Sequence, residues 1–114
     1  MSAPDLLAAT ADLVAIPSES HSEGQIVEHL EARLRSLAHL EVERVGLNLV
    51  ARTQLGRSTR VLLAGHTDTV PANGNAEARI EGDVLWGLGS SDMKGGLAVM
   101  LALAEAVAEP AVDV

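Results

Sequence analysis

The chain has no cysteine, so it can form neither a disulfide framework nor a thiolate metal site, and any metal must be held by imidazole and carboxylate. It also lacks phenylalanine and tyrosine and has a single tryptophan, Trp86, which leaves an aliphatic core. Basic residues are scarce, 8 against 16 acidic ones, for a formal charge of -8. Those few cations are scattered along the chain, which argues against a nucleic-acid surface and against an anionic membrane surface. The longest apolar run, Leu97 to Ala104, is too short to span a bilayer. Met1 to Asp5 carries no basic segment followed by an apolar stretch, so no secretory signal is read there and the cytoplasm is the expected compartment.

What remains suits one small domain or part of one. A length of 114 residues allows a single core, and a hydrophobic content of 47% with 21% charged residues is the balance of a globular chain rather than a disordered one. No internal repeat, low-complexity tract or linker divides it.

Hydrophobic periodicity predicts a helix over Asp5 to Ala15, stopped by Pro17. Ser22 with Gln25 forms a capping-box pattern, and Ile26, Leu30, Leu34 and Leu37 continue at helical spacing, so a second helix is expected from about Glu23 to Ala38. The period then changes to two. Leu40 to Val45 reads as one strand, and Gly46 separates it from a second over Leu47 to Thr53. Arg60 to Ala64 is apolar without alternation, the pattern of an interior strand covered on both faces. Arg79 to Trp86 reads as a hairpin around Gly82-Asp83, and a final helix is expected from Lys94 or Gly95 to about Ala108. That helix is apolar on nearly every side, so it needs more cover than the preceding residues supply. The order of elements predicts an α/β layer architecture.

Two segments could carry chemistry. The first is Gly65-His66-Thr67-Asp68-Thr69-Val70-Pro71, at the end of the expected interior strand, where open α/β sheets bind ligands. On an extended backbone His66 and Asp68 point to one side, with Cα atoms roughly 6 to 7 Å apart, so one could take a metal while the other orients it or sits close by. An isolated His-x-Asp is more commonly a strand-end histidine beside a turn aspartate. The second segment is Gly87-Leu88-Gly89-Ser90-Ser91-Asp92-Met93-Lys94-Gly95-Gly96, which leads into the last helix. Near a helix N-terminus Asp92 would stay ionised, as a cation ligand must. Its ordinary alternative is a plain N-cap made by Ser91 or Asp92. The glycines do not make a nucleotide loop: Asp92 stands where the dinucleotide pattern wants a third Gly or Ala, and Lys94 is followed by Gly95 rather than Ser or Thr.

Together, in this order and about twenty residues apart, the two segments resemble the paired signatures of the M20 family of metallopeptidases and aminoacylases. IPSESHSEG is similar to the family's N-terminal turn, and Leu47 to Ala51 to its second strand. Within the family, GHTDTVP with SDMKGGLAVML looks most like the branch that removes succinyl from diaminopimelate. The resemblance implies the N-terminal part of a three-layer α/β/α zinc-peptidase-like catalytic domain with a mixed sheet. It implies His66 as a terminal ligand of one metal and Asp92 as the carboxylate bridging two, with Asp68 as the catalytic residue that orients His66. It implies two divalent cations, zinc first and cobalt as the alternative, and a cis peptide at Asp92-Met93.

The resemblance also implies a small acylated amino acid as substrate and a homodimeric parent. One family feature is missing: no Glu-Glu dipeptide occurs to act as general base and further ligand. His21, His29 and His39 stand too early for the family's distant His and read as surface residues. The remaining ligands, the rest of the catalytic domain and the dimerisation domain are therefore expected outside residues 1–114. Two ligands fall far short of the four that zinc takes, so the segment alone is expected to be inactive. A non-catalytic remnant serving as a binding module is the competing expectation.

Overall fold

A computed structural model describes residues 5–114. Helix α1 (Leu6–Val14) starts where the Asp5 carboxylate accepts the Ala8 N–H at 3.0 Å, and it stops three residues before the helix-incompatible Pro17. It buries Thr10, Leu13 and Val14. Helix α2 (Gly24–Arg35) buries Ile26, Val27 and Leu30, but its start differs from the capping-box expectation. Glu23, not Ser22, is the N-cap, and no side chain caps the helix. The Glu23 carboxylate instead accepts the N–H of His21, whose left-handed backbone (φ 72°) folds the preceding turn back onto it. The helix also ends before Ala38, because the Ser36 hydroxyl donates to the Arg33 carbonyl and Leu37 closes a further tight turn onto Leu34.

The alternating segment forms an antiparallel hairpin of β1 (Glu41–Val45) and β2 (Asn48–Arg52), joined by Gly46-Leu47 with Gly46 at φ 60°. A second hairpin, β3 (Arg79–Glu81) with β4 (Val84–Trp86), turns at Gly82-Asp83 as expected. The chain then passes through a five-residue turn, Ser90–Lys94, into α3 (Gly95–Ala106). The last helix stops short of Ala108, as Val107 is already extended.

The interior strand is where the structure departs most from the sequence reading. Arg60 to Ala64 forms no strand beyond an isolated parallel bridge between Arg60 and Asp113, and its apolar side chains are exposed, Leu62 at 81%. A strand forms by pairing, and among the described residues none runs alongside Val61 to Ala64. Its composition suits burial on two faces, yet the neighbouring elements cover neither. The same shortage leaves Val99 and Leu103 of α3 exposed. Beside them opens an apolar groove of about 710 Å³ lined by Val27, Leu30, Leu49, Leu63, Leu97 and Met100. The core proper lies where the three helices meet: Leu13 from α1, Ile26, Val27 and Leu30 from α2, and Leu97, Ala98 and Leu101 from α3. The α/β class thus holds as a mixture of helices with small antiparallel sheets. No described helix is long and apolar enough to cross a membrane.

Asp113 fastens the chain around residues 53–61. Its carboxylate accepts the Thr53 hydroxyl at 2.6 Å and the backbone N–H groups of Leu55 and Arg57 at 2.8 Å each, while its own backbone bonds Thr59 and Val61. These donors, the Thr53 hydroxyl foremost, lower its pKa from 3.8 to about 2. A lowered carboxylate pKa adds stability that is complete above the unfolded value and lost as pH falls through the folded one. Asp113→Asn should therefore lower the melting temperature at neutral pH, and the gap from the parent sequence should close between pH 3.8 and about 2. A gap that stays constant across that range would contradict the assignment.

Gly89 sets the entry to the Ser90–Lys94 turn. Its φ is +80°, and a Cβ there would come within 2.7 Å of the Thr69 methyl group. Gly89→Ala should cost roughly 1–2 kcal/mol in denaturant unfolding from the left-handed backbone alone. Unchanged stability would show that the turn relaxes to another geometry.

Candidate active site

The sequence around Pro17 makes a corner after α1, and this corner receives the His66–Thr69 segment. Thr69 N–H donates to the Ser18 carbonyl at 2.9 Å and Ser20 N–H donates to the Thr69 carbonyl at 3.0 Å, a short parallel bridge centred on Glu19 and Thr69. The buried Ser18 hydroxyl donates to the Thr67 carbonyl at 2.7 Å. His66 and Asp68, predicted to face the same side, do meet. His66 Nδ1 lies 3.1 Å from Asp68 Oδ1 and 3.1 Å from the Asp68 carbonyl oxygen. The other carboxylate oxygen of Asp68 accepts the Ser20 hydroxyl.

The second segment arrives from the opposite side. Between Gly89 and α3 the backbone turns with Lys94 N–H donating to the Gly89 carbonyl at 2.8 Å, and the Asp92–Met93 peptide is cis, as the resemblance implies. Asp92 does not cap α3: Lys94 occupies the N-cap position with helical dihedrals, and no side chain caps the helix. With the capping alternative gone, the Asp92 side chain is 84% exposed and reaches His66, its Oδ1 lying 2.9 Å from His66 Nε2. Met93 packs behind, its sulfur accepting the His66 backbone N–H at 3.4 Å.

His66 thus has an acceptor at each ring nitrogen. Without a cation both nitrogens are best used as donors, so the imidazole pKa is raised from its ordinary 6.5, first by the Asp92 hydrogen bond and then by the Asp68 carbonyl and both negative charges. Asp68 is held below the usual aspartate value, chiefly by the Ser20 hydroxyl and then by the charge of His66. The arrangement is also that of a ligand pair. With Nδ1–H directed at Asp68, the Nε2 lone pair and an Asp92 oxygen face each other across 2.9 Å. Ligand distances of about 2.0–2.2 Å place neighbouring donors on one tetrahedral zinc about 3.3–3.6 Å apart, so a shared small divalent cation would take the place of this hydrogen bond once the pair opens by about half an ångström. Two donors do not make a full shell. Among the described residues no group of three or more His, Asp or Glu side chains is arranged to hold a metal ion.

Among the described residues none of the other histidines is hydrogen-bonded to His66, Asp68 or Asp92. His21 and His29 are exposed, as expected, while His39 is half-buried and donates through Nε2 to the Ala104 carbonyl near the end of α3, at 2.7 Å. Two residues that the sequence did not single out touch the site's framework. One is Ser20, through Asp68. The other is Lys94, which is 2% exposed, donates from Nζ to the Ile16 carbonyl at 2.7 Å and has its pKa lowered by burial. A buried lysine two residues after Asp92 was legible only as a helix-entry residue, because its partner lies 78 positions away.

Known proteins match this chain along the same segments. The family model described as peptidase family M20/M25/M40 matches residues 62–113, a stretch that holds His66, Asp68 and Asp92. A Mycobacterium tuberculosis protein provisionally named a succinyl-diaminopimelate desuccinylase is 52% identical over 110 residues, covering 96% of this chain and 31% of that protein. The Corynebacterium glutamicum succinyl-diaminopimelate desuccinylase is 46% identical over 99 residues, covering 85% of this chain and 27% of the enzyme. A Pyrococcus abyssi protein provisionally named a LysW-lysine/LysW-ornithine hydrolase is 38% identical over 91 residues, 79% of this chain and 26% of that one. The chain thus spans under a third of the length of these curated relatives. Along these segments the chain is similar to the M20 peptidase family, and its mixed helix and strand structure is compatible with an N-terminal piece of that family's α/β domain.

Proposed function

We propose that residues 1–114 supply the first part of the active site of a metal-dependent amide hydrolase. Its reaction would be N-succinyl-LL-2,6-diaminopimelate plus water to succinate and LL-2,6-diaminopimelate, in the route to lysine and cell-wall peptide precursors. The observation that carries this reading is the placement of His66 between Asp68 and Asp92, with contacts of 3.1 and 2.9 Å. It is supported by relatives named for that reaction.

In this reading His66 and Asp92 hold divalent cations, zinc or else cobalt, with Asp92 as the bridging carboxylate. Such ions polarise an amide carbonyl and acidify a bound water. The work of the chain itself is orientation. Asp68 takes the Nδ1–H of His66, fixes the tautomer and leaves the Nε2 lone pair free for a cation. Asp92, free of any capping bond and largely exposed, presents its carboxylate to the same point. The general base and the remaining ligands belong to the parent protein beyond these residues, and the segment alone is inactive for want of them. The same remainder covers Val61 to Ala64 and carries the domain through which the parent forms a homodimer. The parent works in the cytoplasm on a small acylated amino acid.

A second substrate reading is favoured by the Pyrococcus abyssi relative, whose name describes hydrolysis of LysW-lysine or LysW-ornithine. Parallel assay of the parent on succinyl-diaminopimelate, acetylornithine and LysW-lysine decides among them, with succinyl-diaminopimelate turned over fastest. A faster rate on either alternative would reassign the substrate and leave the site intact.

Two variants of the parent test the roles. Asp92→Ala should abolish turnover and bound metal together, and two retained metals with full activity would exclude it as the bridge. Asp68→Ala should cut turnover about 10- to 100-fold while most of the metal stays, the usual effect of losing the partner of a metal-bound histidine. Unchanged turnover would reject the orienting role.

A further inference from the structure

The two halves of the site come from segments 26 residues apart, His66 and Asp92, and their direct contact is one exposed hydrogen bond. Something else must hold them in register, because an exposed pair contributes little against the rotamer freedom it must restrict. The corner from Ile16 to Ser20 makes contact with both. On one side Ser18 and Ser20 bond the Thr67 and Thr69 backbone, and the Glu19 carboxylate accepts the Ala72 N–H at 2.7 Å, so the loop after His66 is pinned at both ends of Asp68. On the other side the buried Lys94 ammonium donates to the Ile16 carbonyl, which ties down the end of the turn that carries Asp92.

Within that brace one side chain acts directly on the site. The two oxygens of Asp68 are divided: Oδ1 faces His66 Nδ1 and Oδ2 takes the Ser20 hydroxyl. The Asp68 side chain is 40% exposed, so without that hydroxyl its carboxylate is free to swing towards water. The ring would then keep only the Asp68 carbonyl as a partner for Nδ1–H, while Asp92 still competes for a proton on Nε2.

We propose that the Ile16–Ser20 corner is the common mount of both halves of the site, and that Ser20 is a positioning residue that fixes the His66 tautomer through Asp68. The inference deepens the functional reading above and takes from it the need for a free Nε2 on His66. The substrate does not enter. The ligand role of Asp92 does not enter either.

The test uses the metal-free 114-residue chain and reads the ring-nitrogen chemical shifts of His66 by NMR, above the pH at which the imidazole titrates. Ser20→Ala should lower the ratio of Nδ1–H to Nε2–H tautomer about fivefold, the change that a net hydrogen bond of about 1 kcal/mol produces. Ser20→Thr, which keeps the hydroxyl, should restore the ratio. Ser20 is exposed, so both variants should keep the melting temperature of the original chain. Tautomer shifts unchanged in Ser20→Ala would overturn the positioning role, as would a Thr variant that behaves like Ala. Lys94→Met tests the mount: it should move the His66 Nε2 resonance through displacement of Asp92, and an unmoved resonance in the folded variant would reject the tie. Because no metal or substrate is present, these results stand apart from the metal content of Asp92→Ala, whose failure would instead strike the functional reading.

Discussion

An imidazole binds a cation usefully only when one nitrogen is committed to a proton and the other is not, and the ring cannot make that choice alone. Here Asp68 is placed to bias that choice. Its carboxylate and carbonyl both face Nδ1, and a serine hydroxyl from a distant corner holds the carboxylate's other oxygen. Everything else at the site is arranged around that ring. The turn from Ser90 to Lys94 delivers Asp92 without spending it on a helix cap, and a lysine buried beneath the turn anchors it to the same corner.

The site sits on a body whose apolar surface is incompletely covered. Three helices close a core around Leu13, Val27 and Leu101, but Val61 to Leu63 stay exposed beside an apolar groove. Asp113 pairs with the start of that segment through a parallel bridge to Arg60, its backbone bonding Thr59 and Val61. The curated relatives are more than three times as long as the matched stretch, which accords with the proposal that further chain completes the sheet in the parent.

Local features of the sequence translated directly into structure. Periodicity located α1 and α2, a nearly continuous apolar run after the glycine-rich turn located α3, and the Gly46 and Gly82 turns located the two hairpins. Features that depend on distant partners did not. Val61 to Ala64 has the composition of an interior strand, but composition cannot supply the strand beside it. Ser22 with Gln25 matched a capping box, yet Glu23 turned back to bond His21, a competition that no spacing rule resolves. At the site, the meeting of His66 with Asp68 followed from strand alternation, and the approach of Asp92 was implied only by the family resemblance of the two motifs. Ser20 and Lys94 escaped notice because their partners lie 48 and 78 residues away.

The central claim is that His66 and Asp92 share a cation. Anomalous diffraction from the metal-loaded parent protein tests it most directly. The account predicts a metal peak within coordination distance of both His66 Nε2 and an Asp92 carboxylate oxygen, with Nδ1 still on Asp68. A metal bound elsewhere, with His66 and Asp92 still hydrogen-bonded to each other, would contradict it.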